Sequence, residues 1–182
     1  MRKVLILFAH PRLERSRINR RLLASVPTDL PITVIDLYER YPDFNIDVEA
    51  EKRLLLEHDV IVWHHPFYWY SCPPLLKQWI DMVLELGWAY GPGGTQLAGK
   101  HVLNVITTGG TADAYTHGGR NRFTLKELLA PFDQTAYLCK MVYLPPFAIQ
   151  GTHRLTDEAI EEEALRYSGL LRSLAEGLLA PE

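Results

Sequence analysis

The chain has 182 residues, so a single domain over 1–182 is the expectation. Hydrophobic residues make up 47% and charged residues 23%, which is enough apolar material for a full core. A net charge of −3 gives no field that attracts nucleic acid, so polyanion binding is disfavoured from the outset.

The N-terminal "MRKVLILFAHPRLERS" has two basic residues and a short apolar run, as a signal peptide would. The run spans only about six residues, lacks a small-residue cleavage site and ends in His-Pro, so it is read as a strand over Lys3–Phe8. No segment approaches the roughly 18 apolar residues that cross a membrane. Further strands are expected at Ile32–Asp36, Val60–His64, His101–Thr107 and Met141–Ile149. Helical patterns fall between them at Ser16–Ser25, Asp47–Glu57, Pro74–Leu84 and Arg122–Pro131. A last helix runs from about Thr156 to Leu179, with Ile160, Ala164, Tyr167, Leu171, Leu174 and Leu178 as its buried stripe. Asp157 and Glu158 suit its positive N-terminal end. Cys72 and Cys139 lie far apart, with no second Cys or His at ligand spacing. They fit a reducing, cytoplasmic compartment without disulfides.

Strands alternating with helices predict βαβ units and a parallel sheet. Continuously apolar runs such as "VLILF" and "VIVW" predict strands covered on both faces. The expected fold is therefore α/β: a flavodoxin-like three-layer sandwich with a five-stranded parallel sheet, order 2-1-3-4-5. Ligands in such sheets sit beyond the carboxyl ends of the strands, where the strand order reverses. That directs attention to three loops.

The first is "AHPRLERSRIN", Ala9 to Asn19. Ser16 is placed to cap the first helix, leaving the amides of Arg17, Ile18 and Asn19 pointing outward as an anion site. His10 and the nearby arginines could add charge; a plain cap with solvated arginines is the alternative. Neither G-x-G-x-x-G nor G-x-x-x-x-G-K-[ST] is present, which argues against a dinucleotide cradle or an NTPase. The second loop is "HHPFYWYSCPPLL", His64 to Leu76. His64 and His65 are adjacent on a strand, so they point to opposite sides and cannot serve one metal. No metal is expected. Pro66, Pro73 and Pro74 stiffen this loop, with Pro74 in the first turn of the next helix. Phe67, Tyr68, Trp69 and Tyr70 suit a planar heterocycle, though aromatics beside an apolar strand are more often core. Leu75 and Leu76 return the chain to the core. The third loop, "TTGGTADAYTHGGRN", offers the hydroxyls of Thr107 and Thr108 and close backbone approach at Gly109 and Gly110. Its length is unusual for a loop without function, a flexible surface loop being the alternative. A ligand with a phosphate at the first loop and a flat ring between the other two describes FMN. On physical grounds FAD satisfies the same description.

The stretches "AHPRLERSRIN", "YPDFNID", "HHPFYWYSCPPLLKQWID", "GWAYGPGGTQLAGK" and "TTGG" together resemble the flavodoxin-like NAD(P)H:quinone oxidoreductases. Within that family they are similar to the ancillary flavoproteins of glutathione-regulated potassium-efflux systems. The resemblance covers nearly the whole chain, through "LPPFAI". It implies an FMN site in which His10 and Ser16 to Asn19 hold the phosphate and ribityl chain. Phe67 to Tyr70 line the ring, and Thr107 to Gly110 meet its other edge. Family members carry a Tyr and a His after TTGG as proton donors. Tyr115 matches the Tyr, the His position falls on Arg120 or Asn121, and His117 stands nearby out of register. The reaction implied is NAD(P)H dehydrogenase (quinone) activity by two-electron ping-pong hydride transfer. Also implied are a homodimer with its active site at the interface and association with a membrane potassium/proton antiporter from the cytoplasmic side. A stand-alone quinone or electrophile reductase is the alternative. A one-electron carrier is disfavoured by the modest charge and the long third loop.

Overall fold

The computed structural model describes residues 1–178. One parallel sheet contains β1 (Val4–Phe8), β2 (Ile32–Asp36), β3 (Val60–Pro66), β4 (His101–Thr107), β5 (Val142–Tyr143) and β6 (Phe147–Ile149). Its order is β2-β1-β3-β4-β5, with β6 pairing β4 further along. This is the expected flavodoxin-like order with one change. The fifth strand, expected unbroken over Met141–Ile149, is two short strands separated by Pro145 and Pro146. A proline has no N–H to give the ladder, so pairing to β4 stops and resumes.

Around the sheet lie α1 (Arg17–Ala24), α2 (Leu37–Arg40), α3 (Val48–Glu57), α4 (Pro74–Val83), α5 (Leu125–Leu128), α6 (Ala130–Leu138) and α7 (Asp157–Glu176). The helix expected over Arg122–Pro131 is corrected. Arg122 is left-handed at φ 64°, and α5 begins only after Thr124, which forms a capping box with Glu127. Pro131, expected to end a helix, sits in the first turn of α6, where its missing N–H costs nothing. On α7 the stripe from Ile160 to Leu174 is buried as expected. Leu178 is not: Gly177 ends the helix at φ 76°, and Leu178 is 70% exposed. Leu179 lies outside the described residues.

The alternation of β1 builds two cores. Leu5 and Leu7 face Trp63, Leu75, Leu76 and Trp79 under α3 and α4. Val4, Ile6 and Phe8 face Ile18, Leu22, Tyr167 and Leu171 under α1 and α7. The crossover "YPDFNID" is packed rather than splayed, with Tyr41 and Ile46 buried. Glu51 of α3 is also buried; its carboxylate accepts from Tyr41 Oη at 2.6 Å and Trp79 Nε1 at 2.9 Å and pairs with Arg40 at 3.2 Å. Three partners offset the cost of burying that charge. Among the described residues no helix is long and apolar enough to cross a membrane. Both cysteines are free, Cys139 buried and Cys72 half-buried.

Candidate functional site

The first, third and fourth strands end at one edge of the sheet, and a cleft of about 420 Å³ opens there. Its base is the N-terminus of α1. Ser16 caps the helix as expected, its Oγ accepting from Asn19 N at 3.2 Å and Asn19 Nδ2 at 2.9 Å. Two accepted bonds leave the Ser16 proton free to donate into the cleft. The cap uses the Asn19 amide, so the outward donors are Arg17 and Ile18 rather than all three. Among the described residues those two amides have no hydrogen-bond partner. The Asn19 side chain is fully engaged as well. Its Nδ2 also donates to Thr107 Oγ1 at 3.1 Å, and its Oδ1 meets His64 Nε2 at 3.1 Å. His64 Nδ1 in turn meets Tyr167 Oη at 3.0 Å. All members of this chain are buried. Burial holds His64 neutral, its pKa down at about 3. Asn19 Oδ1 can only accept, so Nε2 carries the proton and Tyr167 donates to Nδ1. The relay thus fixes Asn19, and Asn19 fixes the Ser16 and Thr107 hydroxyls.

His10 lines the same cleft. Desolvation lowers its pKa, and its Nδ1 accepts from Arg12 N at 3.1 Å, leaving Nε2–H as the outward donor. It is a neutral donor, a correction to the expectation that it adds charge. The charge comes from Arg12 and Arg15 at the rim. Arg17 also borders the cleft, but its guanidinium is held by Asp157 at 2.5 Å.

His64 and His65 do face opposite sides of the sheet. His65 Nε2 accepts from Asn104 Nδ2 at 2.9 Å, and Tyr143 Oη donates to Asn104 Oδ1 at 2.6 Å. His65 Nδ1 reaches Pro66 O at 2.9 Å and so pins the start of the aromatic loop. Burial keeps this ring neutral too, with its pKa at about 4. Beyond that anchor the backbone is strained: Trp69 has φ 48° and Tyr70 φ 60°. Left-handed aromatics are costly and concentrate at functional sites. Among the described residues the Trp69 and Tyr70 amides have no hydrogen-bond partner. Leu75 and Leu76 are buried as expected, and Pro74 opens α4.

The expected site residues divide. Phe67 and Tyr68 line the first cleft. Phe67 also faces a smaller one with Trp69, Tyr70, Tyr115 and Arg120. Trp69 is 90% exposed, so as a single chain this wall stands open. Tyr115 rests on Gly110, where a Cβ would come within 3.0 Å of its ring, and lies 6.1 Å from Phe67. Tyr70 Oη donates to Asn121 Oδ1 at 3.3 Å, tying the aromatic loop to the loop after β4. Thr107 and Gly109 line the first cleft, whereas Thr108 is buried and donates to Gly110 O at 2.7 Å, shaping the turn. His117 borders neither cleft; Glu127 holds its Nε2 at 3.0 Å, and that contact pulls the Glu127 carboxyl down to about 2. Thr152 and His153, in the loop after β6, were missed. The signal was available, since that loop also follows a strand and leaves the sheet at the same edge.

The family model for the flavodoxin-like fold matches residues 2–171. The chain belongs to the flavodoxin-like fold family. The resemblance read from the motifs is borne out by its relatives. An uncharacterized NAD(P)H oxidoreductase of Bacillus subtilis, YdeQ, is 47% identical over 165 residues, 91% of this chain and 84% of that one. The glutathione-regulated potassium-efflux system ancillary protein KefG of Enterobacter sp. (strain 638) is 46% identical over 171 residues, 94% of this chain and 93% of that one. Among solved structures, general stress protein 14 of Treponema denticola in complex with FMN superimposes with a TM-score of 0.90 at 40% identity. It covers 94% of this chain and 99% of that one.

Proposed function

We propose that this protein is an FMN-dependent NAD(P)H:quinone oxidoreductase. The observation that carries the reading is the meeting, at one sheet edge, of an anion cradle and a strained aromatic loop. FMN fits the residues present. Its phosphate would take the Arg17 and Ile18 amides, the Ser16 hydroxyl and the Arg12 and Arg15 charges. Thr107 and His10 would offer donors to the ribityl chain. Phe67 and Tyr68 would bound the ring, and the free amides of Trp69 and Tyr70 would hydrogen-bond its edge. Relatives named for NAD(P)H oxidation and for FMN support the choice of cofactor and donor over FAD.

Bound FMN would supply the two-electron redox chemistry by which a nicotinamide donor and a quinone react in turn. The chain's own residues do the rest. Free amides stabilise negative charge that develops beside the ring. The Tyr115 hydroxyl, on the floor of the aromatic cleft, holds a proton for the acceptor. Buried Phe67 keeps water from one side. The other side, where Trp69 lies open, is covered by a second copy in a homodimer. Likeness to KefG supports an ancillary role at a potassium/proton antiporter on the cytoplasmic side, compatible with the enzymatic one. Purified protein is expected to carry flavin absorbance, to release FMN on denaturation, and to lose that absorbance when mixed anaerobically with NADPH. Protein that binds FMN but is not bleached by either nicotinamide donor would refute the enzyme reading. Potassium efflux measured with and without the protein tests the ancillary role.

A further inference from the structure

Beside the cofactor cleft lies a second one of about 740 Å³ that the proposed chemistry leaves unused. It holds Arg120 and Arg154 against glycine backbone from the loop after β4. The clefts are contiguous. Gly109 and His153 border both the first and the second, and a Cβ on Gly109 would come within 3.1 Å of the His153 ring. Arg120 borders both the second and the aromatic cleft. A molecule lying against the aromatic loop can therefore extend across the loop after β4 and reach both guanidiniums.

Neither guanidinium is held in an ion pair. Among the described residues neither Arg120 nor Arg154 has a carboxylate within ion-pair distance, whereas Arg17, Arg21 and Arg172 each hold one. The one acid lining the cleft, Asp113, accepts a hydrogen bond from Thr111 Oγ1; Arg154 is near enough to help lower its pKa but lies outside ion-pair distance. Two guanidiniums outside any ion pair, lining one polar, backbone-walled cleft, match a phosphate dianion, which the planar fork binds through paired N–H donors. The cofactor's own phosphate is already accommodated at α1. Given the oxidoreductase reading, on which this inference rests, the donor offers a pyrophosphate, shared by NADH and NADPH with one charge on each phosphoryl group, and a 2′-phosphate, the one dianionic monoester and the group that separates NADPH from NADH. Arginine is the usual partner for that 2′-phosphate. We propose that the cleft of Arg120 and Arg154 binds the 2′-phosphate of NADPH and makes the protein select NADPH over NADH.

Two nucleotides without redox chemistry test this directly: 2′,5′-ADP and 5′-AMP, titrated calorimetrically into FMN-loaded protein. The expected result is at least about ten-fold tighter binding of 2′,5′-ADP. Arg154→Gln and Arg120→Gln should each erase most of that preference, with Arg154→Lys restoring part of it. Equal binding of the two nucleotides by the wild type would overturn the proposal, as would a preference that survives both substitutions. Flavin reduction kinetics separate this from the broader reading. Rapid reduction at equal kcat/KM by NADPH and NADH would overturn the phosphate site and leave the oxidoreductase intact. Preferential 2′,5′-ADP binding without any flavin reduction would support the site and remove the oxidoreductase.

Discussion

The two halves of the candidate site share one sheet edge and are built in opposite ways. At the α1 end, every polar group behind the cleft is buried and partnered: Thr107, Asn19, His64 and Tyr167 form one chain that ends in the core under α7. At the aromatic end, Trp69 and Tyr70 hold left-handed backbone, Trp69 is almost wholly exposed, and the tie to the neighbouring loop is one 3.3 Å hydrogen bond. A rigid, satisfied support suits a group that binds once and stays. An open, strained wall suits partners that come and go, including a second copy of the chain. Under the proposed function, affinity belongs to the first half and turnover to the second.

The largest expected effect breaks the buried half. His64→Leu leaves Asn19 Oδ1 and the Tyr167 hydroxyl buried without partners. Each orphaned group costs about 1–3 kcal/mol, so a loss of roughly 3 kcal/mol in urea unfolding is expected, with release of bound flavin. Acid strikes the same place. Burial depresses His64 to about 3 and His65 to about 4, from an ordinary 6.5. Between those values the unfolded chain binds protons that the folded chain refuses. Stability is therefore complete above about pH 6.5 and falls as pH drops, by up to about 1.4 kcal/mol per pH unit for each histidine. Unfolding midpoints measured from pH 7 down to 5 check the slope, and His65→Gln should flatten it.

Ser16→Ala is a smaller test of the same half. Loss of the cap costs about 1 kcal/mol of stability. Loss of the hydroxyl aimed at the phosphate weakens FMN by roughly ten-fold in a fluorescence titration. Trp69→Ala sharpens the contrast from the other side. An exposed side chain contributes little to folding, so stability should stay within about 0.5 kcal/mol. The rate of flavin reduction by NADPH should fall, and sedimentation should show a weaker dimer.

How much of this was legible in the sequence depends on how local the signal was. "VLILF" and "VIVW" carry their strands in their own composition, and Ser16 carries its cap. The break at Pro145–Pro146 is equally local, but the apolar residues on both sides of it read as one continuous strand. Non-local features were out of reach. The relay from Asn19 to Tyr167 joins residues 148 positions apart (167 − 19) that no periodicity links. Glu51 looks like a surface acid on its helix until Tyr41 and Trp79 close over it. His117 stood beside a motif position in the sequence, but the capping box at Thr124 turned Glu127 toward it. Thr152 and His153 reach the cleft because β6 pairs with β4 past the Pro145–Pro146 break, a non-local pairing that brings their loop to the same sheet edge.

The division of labour is tested most directly by comparing FMN with riboflavin, which lacks the phosphate, in binding to flavin-free protein. The account predicts FMN tighter by at least about a hundred-fold, a gap narrowed by Ser16→Ala and left intact by Trp69→Ala. Equal affinity for the two flavins, or a gap that Trp69→Ala closes and Ser16→Ala does not, would contradict it.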